Sequence, residues 1–174
     1  MRYCPHCAAP LTQVDLGGAK RMACVEAGCG YVHWDNPVPV VAAIVEHEGR
    51  VVLARNRGWP EHMYGLVTGF LERGESPQQG VSREVKEELD LDAMTTELVG
   101  VYPFERKNEL ILAYHVQASG VIRLNEELVD YRAIAPERLR PWKFGTGLAL
   151  ADWLRSRGLE VNFVQPRAEV ARLA

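Results

Sequence analysis

The chain has 174 residues, enough for one ordinary domain with a real core plus a small module. Its 47% hydrophobic and 25% charged residues exclude a disordered chain. A net charge of −3 and a pI near 6.0 argue against a general nucleic-acid partner, and the longest apolar run, Val40 to Val45, is far too short to span a membrane.

The N-terminal stretch has no apolar segment of the secretory kind, so a cytoplasmic protein is expected. All four cysteines fall before residue 30, as Cys4-x2-Cys7 and Cys24-x4-Cys29. In a reducing compartment such pairs read as ligands of one structural Zn²⁺, two knuckles supplying four thiolates to a tetrahedral ion. The second pair is wider than usual, and His6 or His33 can substitute for a cysteine that is not a ligand. A disulfide pair, or a site that has lost its metal, is the alternative. Residues 1–35 therefore read as a small zinc ribbon whose metal replaces a missing core. Its strands are expected at Leu11–Leu16 and Arg21–Val25, around a Gly17-Gly18 turn.

A turn-rich linker, Asp35 to Pro39, marks the boundary. Residues 36–160 then form the main domain. Val40–His47 and Arg50–Arg55 read as a hairpin around Glu48-Gly49. Tyr64–Phe70 reads as a strand. Thr96–Phe104 and Leu110–Ala118 read as two strands around a charged turn, and Leu128–Ile134 as another. Phe144–Arg157 has helical periodicity, with Thr146 as its cap and Gly158 as its stop. Residues 161–174 read as a short strand and tail. The pattern predicts an α/β fold, an α/β/α sandwich around a mixed sheet.

The chain is organised around Gly69 to Leu91. Ser76 followed by Pro77 reads as an N-cap and an N1 proline, and Gln79 at N3 closes a capping box. Along the helix that follows, Glu84, Glu87 and Glu88 project from nearly one side. Like charges at that spacing are destabilising, so a positive charge is expected over them. Oxygen-only ligands favour Mg²⁺ or Mn²⁺. Surface helices often carry several glutamates, so this face alone is a weak signal.

The flanks make it specific. Gly69, five residues, Glu75, seven residues, and then Arg83-Glu84-Val85-Lys86-Glu87-Glu88-Leu89-Asp90-Leu91 resembles the Nudix box, G-x5-E-x7-R-E-U-x-E-E-x-G-U with U aliphatic. Every specified position matches except Asp90, which stands where the pattern has a glycine. That glycine ends the helix in a left-handed conformation, which Asp tolerates better than most residues. The resemblance implies a Nudix-type α/β/α sandwich. It also implies Mg²⁺- or Mn²⁺-dependent hydrolysis of a nucleoside diphosphate linked to another moiety, releasing two monophosphates. By position, Glu84, Glu87 and Glu88 would hold the metal, and Arg83 and Glu75 would form a bracing ion pair. Gly69 would let the loop backbone approach the pyrophosphate. A further glutamate from outside the box often completes such a site, and Glu127, rather than Glu126, is the candidate. Tyr102 or Phe104 would stack on the substrate's base, with packing as the other reading.

A four-cysteine ribbon before such a domain resembles the bacterial NADH pyrophosphatase branch and its ADP-ribose and FAD pyrophosphatase relatives. The segment Leu66 to Glu72 and the pair Gly145-Thr146 share that likeness. The NADH-selective array S-Q-P-W-P-F-P-x-S is reduced here to Pro103-Phe104, which puts NADH selectivity in doubt. Hydrolysis of a nucleotide diphosphate conjugate (NADH, ADP-ribose or FAD) is the leading expectation. A non-catalytic nucleotide sensor and the processing of NAD-capped RNA are the alternatives. Relatives are commonly homodimers, but no interface is legible in the sequence.

Overall fold

The computed structural model describes residues 1–164, and the end of the expected C-terminal segment lies outside them. Residues 161–164 form no strand. The chain divides into two compact units, Met1–Pro37 and the unit that begins at Val38.

In the first unit, β1 (Leu11–Leu16), β2 (Ala19–Cys24) and β3 (Val32–His33) form an antiparallel sheet in that order. Gly17 and Gly18 join β1 to β2 with φ of 61° and 81°, the two positive angles a tight hairpin turn needs. Cys4, Leu11 and Ala23 are its buried apolar side chains among the described residues, too few to hold such a unit by themselves.

The second unit is built around β4 (Val38–His47), β5 (Arg50–Asn56), β6 (Val67–Phe70) and α1 (Pro77–Leu89). β7 (Asp92–Phe104), β8 (Glu109–Ser119), β9 (Leu128–Ile134) and α2 (Thr146–Ser156) follow. The strand order is β7-β8-β4-β5-β9, with β6 also pairing β4. β4 is the axis of this sheet. It runs parallel to β8 along its whole length, and its other flank is shared antiparallel between β6 and β5. Val41 to Val45 are therefore sealed from solvent on both faces. Val41, Ala43 and Val45 pack against Val81, Val85 and Leu89 of α1. Between them, Ala42 joins Ala149 of α2, and Ile44 joins Leu150, Trp153 and Leu154. A strand buried on both faces reads as a continuous apolar run, which is why this segment shows no alternation. The result is the expected mixed sheet between two helices.

Local signals place α1 accurately. The Ser76 hydroxyl accepts from the Gln79 N–H at 3.3 Å, and the Gln79 side chain accepts from the Ser76 N–H at 2.8 Å. Asp90 closes the helix at φ 56°, ψ 25°, and its N–H donates to the Lys86 carbonyl. Its carboxylate pairs with Lys86 at 2.9 Å and with Arg123 at 3.2 Å. Other boundaries differ from expectation. β7 begins at Asp92 because its ladder with β8 continues to the Asp92–Ser119 pair. The cap of α2 is Gly145 at φ 49°, with no side-chain cap bond, so Thr146 is the first helical residue and not the cap.

Candidate active site

Arg83 is the hub of the box. Its Nε and Nη2 donate to the two carboxylate oxygens of Glu75, at 3.1 and 2.8 Å. Nη2 also donates to the Phe70 carbonyl at 3.1 Å, tying α1 to the end of β6. Nη1 donates to Glu84 at 2.7 Å and to Glu87 at 3.0 Å. Glu75 in turn accepts from the Glu72 N–H at 2.7 Å. One planar fork thus fastens the loop 71–76 to the helix, a geometry lysine cannot reproduce. The guanidinium also sets a positive charge between Glu84 and Glu87. Its contact with Glu75 holds that carboxyl below the usual range. Surrounded by acids, Arg83 itself is held more firmly protonated than usual.

Gly69 lies inside β6, opposite Val41, and its role in the geometry is a close approach. A Cβ there would sit 1.9 Å from the Cδ of Glu84, so the space a side chain would fill belongs to that carboxylate. Glu88 is 5% exposed, on the side of α1 between the apolar stripe and the carboxylate face. Burial, and then the charges of Glu84, Glu127 and Glu87, push its carboxyl up to about 8. Burial also raises Glu84, against the opposing pull of Arg83. Glu127 directly precedes β9, on a turn tied to the end of α1 by the Asn125 N–H, which donates to the Glu88 carbonyl at 3.3 Å; its charge adds to the upward push on Glu84 and Glu88. Glu126 serves differently, since its carbonyl accepts from the Arg57 side chain.

This arrangement fits a hard divalent cation. The donors are all oxygen. Burial and mutual repulsion disfavour the ionised forms of Glu84 and Glu88, and a cation would relieve both effects. The family model of the NUDIX domain matches residues 35–153. The chain belongs to the Nudix family.

Among curated relatives, the NAD-capped RNA hydrolase NudC of Stutzerimonas stutzeri is 28% identical over 133 residues, covering 75% of this chain and 47% of the relative. The NudC of Mycobacterium bovis is 39% identical over 79 residues, covering 44% of this chain and 25% of the relative. The chain thus spans about half, or less, of the length of the curated relatives it matches. The crystal structure of a NUDIX hydrolase from Nitrosomonas europaea has a TM-score of 0.74 at 23% identity, covering 94% of this chain and 97% of that one. An ADP-ribose pyrophosphatase structure from Streptococcus suis has a TM-score of 0.58 at 20% identity, covering 74% and 100%. These two likenesses concern the fold.

The aromatic candidates on the other face of the Nudix sheet are largely engaged. Tyr102 donates its hydroxyl to Asp152 at 2.9 Å and packs with Phe104 against Ala42, Ile111, Ala113 and Ala149. Burial and Asp152 push the Tyr102 hydroxyl up to about 12. Phe104 stacks on Phe144, with ring centroids 6.4 Å apart and planes 17° apart. The sequence pattern does not single out Phe144. It directly precedes Gly145-Thr146, which is a cue, but its pairing depends on where α2 docks.

In the first unit, the sulfurs of Cys4, Cys7, Cys24 and Cys29 all lie within 4.8 Å of one another. None of the four is disulfide-bonded here, and the sulfurs of Cys4 and Cys29 lie 3.6 Å apart and those of Cys7 and Cys24 3.4 Å apart. Zinc–sulfur bonds of about 2.3 Å around a tetrahedral ion separate the sulfurs by roughly 3.8 Å, so the spacing fits. The wide second pair closes through Gly28, at φ 79°. Among the described residues this is the one such tight group of candidate ligands. The carboxylates of α1 are spread further, with the Arg83 guanidinium between Glu84 and Glu87.

Proposed function

We propose that this Nudix protein hydrolyses the pyrophosphate bond of a nucleoside diphosphate conjugate, of the NADH, ADP-ribose or FAD type, with Mg²⁺ or Mn²⁺. The observation that carries the reading is the folded box itself: Glu84 occupies the space beside Gly69, and Arg83 joins Glu75, Glu84 and Glu87. Glu84, Glu87, Glu88 and Glu127 hold the divalent cation. When bound, it neutralises phosphate oxygens and lowers the pKa of an attacking water. Glu88 holds a proton at neutral pH without the cation and gives it up on binding. Arg83 and Glu75 hold the loop and helix at fixed distance, and Gly69 leaves Glu84 its place. Water adds to one phosphorus as the bridging P–O bond breaks, and two monophosphates leave.

Cys4, Cys7, Cys24 and Cys29 hold a structural zinc ion. Free thiols at this spacing suit a reducing, cytoplasmic setting. No helix among the described residues is long and apolar enough to cross a membrane.

The names of the curated relatives favour a second reading, in which the conjugate is the NAD cap of an RNA. The same bond is cut in either case. The deciding experiment incubates the protein with Mn²⁺ or Mg²⁺ and NADH, ADP-ribose, FAD or an NAD-capped oligonucleotide, and identifies the products. Two monophosphates from at least one substrate are expected. No turnover of any conjugate by metal-loaded, folded protein sinks the proposal. A kcat/KM for the capped oligonucleotide well above that for NADH, falling steeply with salt, selects the second reading.

A further inference from the structure

Glu127 lies on an exposed turn, not on a helix or strand, two residues after Asn125, whose N–H donates to the Glu88 carbonyl at 3.3 Å and so sets the turn beside the end of α1. Such a turn, carrying two adjacent glutamates beside other acids, is repelled from the site it serves. Something has to hold it there.

The Arg57 side chain does so from the β5 side. β5 and β9 slip register at Arg55/Asn56, and this irregularity carries the chain across the start of β9. The Arg57 guanidinium then donates twice to one acceptor, the Glu126 carbonyl, from Nε at 3.0 Å and Nη2 at 2.8 Å. Its backbone N–H donates to the Glu127 carbonyl at 2.7 Å. From the other side, the Asn125 side-chain oxygen accepts from the N–H groups of Glu127 and Leu128, at 3.0 and 3.2 Å. The Asn125 N–H donates to the Glu88 carbonyl at 3.3 Å and the Arg123 N–H to the Leu89 carbonyl at 2.9 Å. The turn is thereby riveted to the last residues of α1 and clamped from outside by one arginine.

We infer that Arg57 is a positioning residue: its fork on the Glu126 carbonyl sets the place of Glu127 against the α1 carboxylates. This rests on the reading of Glu127 as a member of the cation-holding group. Among the described residues, the hydrogen bonds of Arg57 on this side go to the backbone of Glu126 and Glu127 and none goes to a carboxylate of α1.

The test measures Mn²⁺ binding, by the loss of the free-ion electron spin resonance signal and by calorimetry, on the whole chain without substrate. Wild type is compared with Glu127→Gln, Arg57→Ala, Arg57→Lys and the double variant Arg57→Ala/Glu127→Gln. Supporting partners of metal ligands typically change affinity by about 10- to 100-fold, and an exposed one belongs at the low end, so Arg57→Ala should weaken Mn²⁺ binding about 10-fold. The backbone bond from residue 57 survives that change, so the melting temperature should stay near wild type. Arg57→Lys, with one donor in place of a fork, should recover part of the affinity. The double variant should bind no more weakly than Glu127→Gln alone, because both changes remove one contribution. Wild-type affinity in Arg57→Ala, or losses that multiply in the double variant, overturns the inference while leaving Glu127 in place. Wild-type affinity in Glu127→Gln overturns the assignment of Glu127 itself and the inference with it.

Discussion

Gly69→Ala perturbs the site by one methyl group, and its consequence can be worked from the structure. The new Cβ would lie 1.9 Å from both Cδ and Oε1 of Glu84 and 2.4 Å from Oε2. Carbon atoms rest at about 3.5 Å, so the carboxylate has to withdraw by roughly 1.6 Å, the difference between 3.5 and 1.9. The obstacle is the end of a flexible side chain and not backbone, so the β4–β6 ladder can persist. Losing the contact of Glu84 with Arg83 costs about 1 kcal/mol, and the lower entropy of the unfolded alanine chain returns about 0.4–1 kcal/mol. Stability is therefore nearly unchanged, with a melting-temperature shift below about 4 °C. Catalysis is not spared, because a group misplaced by about 1 Å can cost about 100-fold. We expect kcat to fall at least about 100-fold, near 2.7 kcal/mol in activation free energy. Steady-state kinetics at saturating Mn²⁺ and a calorimetric melt on the same preparation check this. A variant within about threefold of wild-type kcat would refute the argument. So would a large fall in melting temperature that accounts for the lost activity.

Three other outcomes are expected. Glu88, raised from 4.5 to about 8 by burial, stays protonated in the folded, metal-free protein while the unfolded chain ionises. The metal-free protein should therefore lose stability as pH rises from 4.5 towards 8, and Mn²⁺ should bind more tightly over the same window with release of protons. Urea melts across pH, and calorimetry in buffers of differing ionisation enthalpy, read the two effects. Chelation should remove one zinc per chain and collapse the amide dispersion of residues 1–37 while that of the second unit persists, because the first unit buries little apolar surface. Asp90→Gly should leave stability nearly unchanged, since relief of the left-handed backbone is offset by loss of exposed pairs with Lys86 and Arg123. A denaturant melt that shows a loss of several kcal/mol contradicts this.

What is legible in the chain is set by short-range chemistry. Ser76, Pro77 and Gln79 announce the start of α1 because capping is a contact among neighbours. Asp90 marks its end for the same reason. The spacing from Gly69 to Leu91 discloses the family, since a loop and a helix at fixed separation need those residues at those intervals. Boundaries that depend on a partner strand are less legible. β7 runs four residues further back than its own apolar pattern suggests, because β8 is there to pair with it. Thr146 looks like a cap, yet Gly145 takes the position because its positive φ favours a residue without a side chain.

Local chemistry is enough to put three glutamates on one helix face and to set a glycine and an arginine at given distances from them. Those facts follow from covalent spacing and local hydrogen bonding. Packing and sheet register alone reveal that Gly69 makes room for Glu84, that Arg83 reaches Glu84 and Glu87 as well as Glu75, that Tyr102 is committed to Asp152, and that the four sulfurs come together. They also show how the turn that carries Glu126 and Glu127 is held. In the sequence only the place of Glu127, next to the start of β9, sets it apart from Glu126. The turn is fastened at Asn125 to the carbonyl of Glu88 and at Glu126 to Arg57, residues far apart in the chain that only sheet register brings together.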